Sequence, residues 1–420
     1  MARTPKKARF LGRCSSSMAG DLIPPLRAEA LIREHFPAFS SENVDLEEAQ
    51  GRILREDLHA DRELPPYDRA AMDGIAFSSA EVAAGRREFA VVGFQPAGRP
   101  ASRLPAGEGS CHEIATGAVL PIGADSVAPY ERIALRDGRA AFEEGFTPGP
   151  WANVHRRGSD AARGARLVSS GMLLTSPEIA VAASIGKARL RVARKPVIGF
   201  VSTGDEIVAV EQAPLAHQIR GSNGPALAAA LRRFGYSLSK KMHLPDEPEA
   251  LRRGIGALLQ SCEVLILSGA VSAGRTDLVP AALEACGARR VFHGVAQRPG
   301  KPFWFGTGPA GRPIFSLPGN PVSVLVCLYR YVLPALENAS GLSDLANETA
   351  ELASDYEVKA KLAFFLPVRI ESRAGRLLAH PQPPNGSGDF AGLAGTSGFV
   401  ELQPGPNRVA AGTAVPLYRW

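Results

Sequence analysis

Acidic side chains recur beside three glycine-rich loops in the second half of the chain. The loops are residues 202–206 (STGDE), 268–277 (SGAVSAGRTD) and 317–321 (LPGNP). The acids in or near these loops are Asp205, Glu206, Asp246 and Asp277. Carboxylates beside an anion site predict a bridging Mg²⁺, because hard cations take carboxylate and phosphate oxygens together. Asp also caps helix N-termini routinely, so capping remains the alternative, above all for Asp277.

The apolar runs that precede these loops predict where the loops lie. Short apolar strands are predicted at 196–201, 264–267 and 314–317, each followed by a loop and then by a helix. This alternation predicts a parallel sheet with flanking helices. Ligands of such sheets bind at the carboxyl ends of the strands, where helix N-termini also attract anions. We therefore expect the three loops to line one anion-binding crevice. For any single loop, plain turn geometry is the alternative.

Two basic residues, Arg298 and Lys301, lie in a proline-rich segment at 297–306 (QRPGKPFWFG). Prolines fix the backbone around them, so both side chains are placed to bind a phosphate or an oxyanion. The alternative is a pair of solvated charges on a hairpin. In the first half of the chain, Asp68, Asp73, Thr116 and Asp160 occur in turn-rich segments. Taken singly, such residues are more typical of turns and caps than of catalysis.

Several classes of site are disfavoured by the motifs that the sequence lacks. It has no GxxxxGK[ST] loop, and no GxGxxG followed by an acid about 20 residues later. It also lacks GxSxG, HExxH and CxxC, which disfavours serine hydrolase, zinc hydrolase and iron–sulfur chemistry. His112, His155 and His293 have no metal-ligand spacing. The five widely spaced cysteines suit a reducing compartment, which predicts a cytoplasmic protein.

Charge and composition describe a multidomain globular protein of 420 residues with many structured turns. The net charge is +6, but residues 1–17 hold five lysines and arginines and no acid, so the rest carries only +1. A nearly neutral body argues against nucleic acid as a partner. No run reaches the length of a membrane span, so no membrane partner is expected. Short strands between turns predict β domains at about 85–150 and 341–420.

Nine motifs occur in a fixed order along the chain. They are LPPYDRAAMDGIA, ATGAVLPIGAD, NVHRRGSD, VSTGDEI, GSNGPAL, PDEPEAL, SGAVSAGRTD, QRPGKPFWFG and SLPGNPVS. With these motifs the chain resembles the MoeA type of molybdopterin molybdenumtransferase, a family that includes the C-terminal domain of gephyrin, over about residues 20–418.

The resemblance implies an enzyme of molybdenum cofactor biosynthesis. Such enzymes take adenylylated molybdopterin and molybdate as substrates and use Mg²⁺. They release AMP and leave molybdenum on the dithiolene. The implied partners are a second copy in a homodimer, a molybdopterin adenylyltransferase upstream, and apo-molybdoenzymes or their chaperones downstream. The implied ligand cleft lies between the sheet domain of one subunit and the N-terminal domains of the other.

The resemblance also implies the domain order and the fold class, a multidomain α/β plus β protein. The predicted parts are a basic tail at 1–17, an elongated N-terminal subdomain at 18–52 and 152–194, a small β subdomain at 53–151, a central parallel α/β sheet domain of the molybdopterin-binding type at 195–340, and a β-barrel-like domain at 341–420.

Carried over motif by motif, the resemblance implies the site residues. The catalytic set is Asp68, Thr116, Asp160, Glu206, Asp246 and Asp277, of which Glu206, Asp246 and Asp277 would hold Mg²⁺. The substrate-binding set is Ser202, Thr203, Gly204, Ser268, Gly269, Ser272, Gly274, Arg298, Lys301, Pro318, Gly319, Asn320 and Pro321.

The sequence departs from the family pattern at several positions in these motifs. Arg69 and Ala70 replace the usual Asn and Ser, and Ser159 replaces a Glu. Gly221, Ala270 and Arg275 replace an Asp, a Gly and an acid. Fewer acids make the pocket less negative, which keeps a second hypothesis open, a divergent molybdopterin-binding carrier with reduced insertase activity. A scaffold role like that of gephyrin is disfavoured.

Overall fold

A six-stranded sheet with helices on both faces forms the centre of the molecule. The computed structural model describes residues 22–105, 109–269, 278–343, 348–358, 361–405 and 408–420. The sheet order is Leu238–Leu244, Ile198–Thr203, Val264–Ser268, Pro313–Leu317, Trp304–Thr307 and Arg289–His293. Alternate residues of each central strand face opposite sides, so Ile266 enters one apolar core and Leu265 the other.

The sheet is mixed, which corrects the prediction of a parallel sheet. The first four strands are parallel, whereas Trp304–Thr307 is antiparallel to both of its neighbours. Residues 308–312 alone connect it to Pro313–Leu317. Parallel strands need a crossover of about a dozen residues or more, so a connection this short requires an antiparallel pair.

Helices cover the two faces of the sheet. Asn223–Arg233 and Pro321–Ala339 pack on one face, and Pro248–Ser261 and Val279–Ala285 pack on the other. The helix Pro25–His35 joins the first of these cores through its buried Ala28 and Ile32, although the predicted segment 18–52 assigned it to the elongated subdomain.

The longest helix runs from Pro321 to Ala339 through a π-helical turn at Leu328–Val332. By length and composition it could cross a membrane, and within the described parts of the chain it is the one helix with that property. Some 78% of it is buried inside the protein, as in the core helix of a sheet domain.

The N-terminal region is extended because segments distant in sequence pair as short ribbons. Ser41–Asp45 pairs with Arg189–Ala193, Leu58–His59 with Arg166–Val168, and Arg69–Ala70 with Val154–His155. The helix Ser176–Ser184 begins with a capping box between Thr175 and Glu178. A six-stranded β sheet follows in the order Ser126–Pro129, Gly74–Phe77, Ser110–Ile114, Glu88–Gln95, Arg139–Phe142 and Ile133–Arg136.

The C-terminal region is a closed barrel of five strands, in agreement with the barrel-like domain predicted. Its strands are Ala363–Arg373, Arg376–Pro381, Thr349–Leu352, Ala414–Arg419 and Gly398–Leu402, and the last pairs with the first. The short strand Gln297–Arg298 of the central domain adds in parallel to Ala363–Phe364. This pairing attaches the barrel to the segment that carries Arg298 and Lys301.

A buried ion-pair network joins the long helix to the barrel. The guanidinium of Arg330, 4% exposed, donates to Glu401 at 2.9 Å and to Glu29 at 2.8 Å. Glu401 is 3% exposed and also accepts from the hydroxyl of Tyr418 at 3.1 Å. Charges this deep are tolerated only when they are paired and hydrogen-bonded.

We expect Arg330→Met to lower the free energy of unfolding by about 3–5 kcal/mol, because it leaves Glu401 charged, buried and unpaired. Adding Glu401→Gln should restore at least half of the loss. Chemical denaturation measures both variants. The control is Arg252→Met, which removes an exposed ion pair with Glu249 and should change stability by no more than about 0.5 kcal/mol. Equal effects of Arg330→Met and the control would contradict a role for the network.

Candidate active site

A cavity of about 880 Å³ lies at the carboxyl ends of the parallel strands. The loops 202–206 and 317–321 each line it with most of their residues, and the loop 268–277 contributes its two described residues. The predicted residues that line it are Ser202, Thr203, Gly204, Glu206, Asp246, Ser268, Gly269, Gly319, Asn320 and Pro321. Ala270, Ser272, Gly274, Arg275 and Asp277 lie outside the described residues.

Close backbone packing brings the first two loops together. Gly269 has a φ of +113°, and a Cβ at this position would lie 2.7 Å from the carbonyl oxygen of Thr203. Only glycine tolerates both that conformation and that approach. Asn223, at the start of a helix, then connects two loops: its Nδ2 donates to Ser268 Oγ at 2.8 Å and to the Gly319 carbonyl at 2.7 Å.

The acids of this cavity repel one another. The pKa of Asp246 is raised by burial, then by the nearby charges of Asp205 and Glu206. A backbone hydrogen bond from Asp205 opposes this rise in the pKa of Asp246. Separately, the backbone N–H of Asp246 donates to Asp205 Oδ1 at 3.1 Å. Its buried Oδ1 has no hydrogen-bond partner within the described structure. Thr203 Oγ1 and Asn223 Oδ1, in residues that also line the cavity, are likewise buried without a hydrogen-bond partner in the described structure.

Two of the three predicted magnesium ligands, Glu206 and Asp246, line this cavity. Mg²⁺ is usually held by one or two carboxylates together with substrate phosphates, not by a full cage of side chains. Asp246, with an unpartnered oxygen, and Glu206 both line the cavity. Over the ranges that the structure covers, no group of three His, Cys, Asp or Glu side chains converges at ligand distance. The third predicted ligand, Asp277, lies outside those ranges.

The outer wall of the cavity carries basic residues. The edge strand Leu238–Leu244 contributes Lys241 and His243. The ring nitrogen Nδ1 of His243 lies 3.0 Å from Ser202 Oγ, on the neighbouring strand. Carboxylates and a lysine that line the same cavity suit a ligand that brings phosphates and a metal ion together.

A second cavity of about 690 Å³ lies beside the first, between the sheet domain and the barrel. Arg298, Lys301 and Pro318 line this second cavity, and Asn320 lines both. Tyr356 and Phe364 of the barrel region add stacked aromatic rings with centroids 6.0 Å apart. Cations next to flat apolar rings suit an anionic ligand that also carries a heterocycle.

Buried Gln297 holds the loop that carries the two cations. It is 0% exposed, and its Nε2 donates to the Pro299 carbonyl at 3.1 Å and to Cys327 Sγ at 3.6 Å. Its Oε1 accepts from the hydroxyl of Tyr331. A side chain at Gly300 would collide with Gln297 and Cys327, so this loop packs tightly against the long helix.

The N-terminal acids form a separate cluster within one chain. Asp68 Oδ1 accepts from the backbone N–H of Arg157 at 2.8 Å, and Asp160 Oδ1 lies 2.7 Å from His155 Nε2. Thr116 donates its N–H to Asp73 Oδ1 at 2.8 Å. Asp68, Thr116 and Asp160 do not line either cavity described above. One chain therefore presents two groups of predicted site residues.

Two of the departures from the family pattern can be located. Arg69 lies in the N-terminal cluster, with its Nη2 3.1 Å from His155 Nδ1. Gly221 lines the first cavity, and a Cβ there would approach Ile207 Cγ2 to 3.1 Å and the Val208 carbonyl to 3.5 Å. A side chain at this position would require the Ile207 side chain to shift slightly.

The fold and cavities define a multidomain α/β protein with an anion- and metal-compatible site at the carboxyl edge of its sheet. Residues 23–186 match the family described as MoeA N-terminal region (domain I and II), 199–338 the probable molybdopterin binding domain, and 349–420 the MoeA C-terminal region (domain IV).

Similar proteins support the same family. A curated molybdopterin molybdenumtransferase from Synechocystis sp. is 38% identical, over 95% of this chain and all of that one. A solved molybdopterin biosynthesis MoeA protein from Pyrococcus horikoshii is 29% identical with a TM-score of 0.77, over 95% of this chain and 99% of that one. A second structure from that organism has a TM-score of 0.82 at 23% identity, which speaks for the fold alone. The chain belongs to the MoeA family of molybdenum cofactor biosynthesis, as its motifs predicted.

Sequence reasoning missed Asn223, His243 and Gln297. Asn223 lay within a quoted motif, GSNGPAL, but no role was predicted for it. Gln297 began the motif of Arg298 and Lys301, and its burial depends on the barrel strand beside it. No sequence motif or residue spacing indicated His243, because its contact with Ser202 arises from the register of two parallel strands.

Removing one charge from the crowded acids should stabilise the protein. For an acid whose pKa is raised on folding, the folded state loses stability as the pH rises through that pKa. We expect Asp246→Asn to raise the free energy of unfolding at pH 7 by about 0.5–1 kcal/mol. This difference from the wild type should disappear at a pH low enough to protonate Asp246. Thermal denaturation at both pH values checks this. The control Asp61→Asn, at an exposed position, should shift neither midpoint, and a loss of stability at pH 7 in Asp246→Asn would contradict the repulsion.

Proposed function

We propose that the chain is a molybdopterin molybdenumtransferase. It takes adenylylated molybdopterin and molybdate, breaks the phosphoanhydride with release of AMP, and leaves molybdenum bound to the dithiolene. One observation carries the proposal: the 880 Å³ cavity at which the loops converge is lined by Asp246, with an unpartnered buried oxygen, and by Glu206. Membership of the MoeA family and the Synechocystis relative of that name support it.

Catalysis here rests on positioning and electrostatics. A reaction between an anhydride and an oxyanion brings several negative groups together, so the protein must orient them and offset their charge. Ser202, Thr203, Gly204, Ser268 and Gly269 form the floor for the anionic ligand at the strand ends, with Gly319, Asn320 and Pro321 beside it. Arg298 and Lys301 bind anionic groups in the adjoining cavity, bordered by Pro318. Asn320 lines both cavities and so lies where the two parts of the proposed site meet.

Mg²⁺ is the proposed cofactor, with Glu206 and Asp246 as ligands and Asp277 as the third. When bound, the ion supplies positive charge next to the phosphate oxygens. Burial and two neighbouring carboxylates raise the pKa of Asp246. A bound Mg²⁺ would relieve the repulsion between these carboxylates, so this arrangement favours binding of the ion.

A second copy of the chain completes the proposed site. Asp68, Thr116 and Asp160 do not line the two cavities of their own chain, so in this proposal they act in the cleft of the partner in a homodimer. The remaining proposed partners are an upstream molybdopterin adenylyltransferase and downstream apo-molybdoenzymes or their chaperones, in the cytoplasm. Neither nucleic acid nor a membrane is part of the proposal.

The alternative is a carrier that binds molybdopterin without inserting the metal. Arg69 motivates it, because a basic residue replaces a neutral one near Asp160. Ala270 and Arg275, outside the described residues, motivate it from the sequence. The two hypotheses differ in one product, AMP.

Purified protein with Mg²⁺ and molybdate should release AMP from adenylylated molybdopterin. Asp246→Asn and Glu206→Gln should each lower kcat/KM by about 100-fold, because each removes charge that the metal and phosphates require. Chelation of Mg²⁺ should abolish release in the wild type. Chromatographic quantification of AMP measures all of these.

The control is Asp61→Asn, which should release AMP at the wild-type rate. Tight binding of the substrate without AMP release in the wild type would reject the insertase and favour the carrier. Full activity of Asp246→Asn would reject the assignment of the site to the carboxyl edge of the sheet.

A further inference from the structure

Arg69, His155 and Asp160 form a continuous row of contacts on the N-terminal ribbon. Arg69 and His155 are direct cross-strand partners in the pairing of Arg69–Ala70 with Val154–His155. Arg69 Nη2 lies 3.1 Å from His155 Nδ1, and His155 Nε2 lies 2.7 Å from Asp160 Oδ1. Both ring nitrogens of His155 are therefore engaged, one by a cation and one by a carboxylate.

The chemistry of the two outer groups fixes where the proton of the ring lies. A guanidinium carries only donors, so Nδ1 must be unprotonated and accept the hydrogen bond from Arg69. The proton of a neutral imidazole then lies on Nε2 and is donated to Asp160. A doubly protonated ring would place N–H against N–H and two cations 3.1 Å apart, which this geometry disfavours.

Two arginines that are close to Asp160 in sequence contact other groups. The guanidinium of Arg156 lies over the ring of Trp151, 4.4 Å from its centroid, and Arg157 donates to Glu63 at 2.9 Å. Asp160 thus receives a neutral donor instead of a cation and keeps its negative charge. Ser159 Oγ also donates to Oδ1, at 3.3 Å, and no side chain or backbone group of the described structure is found on Oδ2.

We propose that Arg69 and His155 are positioning residues for Asp160. Arg69 sets the tautomer of His155, and His155 holds Oδ1 so that the free Oδ2 of a carboxylate that is 51% exposed faces the ligand side. The catalytic importance of this relay rests on the proposed function. Arg69 contacts His155 and not Asp160, so this departure from the family pattern leaves Oδ2 of Asp160 free to contact a ligand.

Nitrogen NMR of protein labelled with ¹⁵N-histidine tests the tautomer without any substrate. At pH 7 we expect His155 to show an unprotonated Nδ1 and a protonated Nε2, with its signals assigned by their loss in His155→Gln. In Arg69→Met the signal of Nδ1 should shift towards the protonated form, because the guanidinium no longer opposes a proton there. A protonated Nδ1 in the wild type, or an unchanged spectrum in Arg69→Met, would overturn the proposal.

Two isosteric variants test the positioning. The amide nitrogen of Gln reaches the place of Nε2, whereas that of Asn reaches only the place of Nδ1. His155→Gln should keep AMP release within about threefold of wild type, while His155→Asn should lose about tenfold in kcat with KM little changed. Equal thermal midpoints of the two variants exclude a folding effect.

Equal losses of kcat in the Gln and Asn variants would overturn the positioning role. Failure of the proposed function looks different: the wild type itself would release no AMP. In that case the NMR comparison of wild type and Arg69→Met still decides whether the relay exists.

Discussion

Parallel strands must end at the same edge of their sheet, and the candidate site depends on this constraint. Ile198–Thr203, Val264–Ser268 and Pro313–Leu317 run side by side, so the loops that follow them meet. The meeting is close enough that Gly269 has no room for a side chain against Thr203. Asn223 and the buried Gln297 then fix the neighbouring loops by hydrogen bonds. The floor of the site is therefore set by backbone packing, before any ligand arrives.

Electrostatics gives that floor its chemistry. Acids are concentrated where they repel one another, as the raised pKa of Asp246 shows, and basic residues lie at the outer wall and in the adjoining cavity. Like charges brought together lower the stability of the folded state. In the proposed function, Mg²⁺ bound with the anionic substrates relieves this repulsion. In the N-terminal cluster, His155 contacts Asp160 at 2.7 Å, while Arg156 and Arg157 contact Trp151 and Glu63.

Much of this arrangement could be predicted from residues, and the exceptions have physical causes. Convergence of the loops followed from the alternation of strands and helices, and the barrel and family followed from motifs. The reversed strand Trp304–Thr307 was missed, because a short apolar run reads alike in either direction. Arg330 is the one charged residue within the apolar run 322–336. Such a residue predicts a buried ion pair, which the structure contains between Arg330 and Glu401. The contacts of His243 and Gln297 depend on strand register between distant segments, which no local pattern contains.

The central claim is that acids of one copy complete the cleft of another, and mixing two inactive variants tests it most directly. Asp246→Asn damages the sheet edge and Asp160→Asn the N-terminal cluster, so in the proposed homodimer each variant alone has two defective sites. After unfolding and refolding together, roughly half of the dimers are mixed, and each should carry one site free of both substitutions. We predict recovery of about a quarter of wild-type AMP release. A mixture no more active than the separate variants, although mixed dimers have formed, would contradict the account.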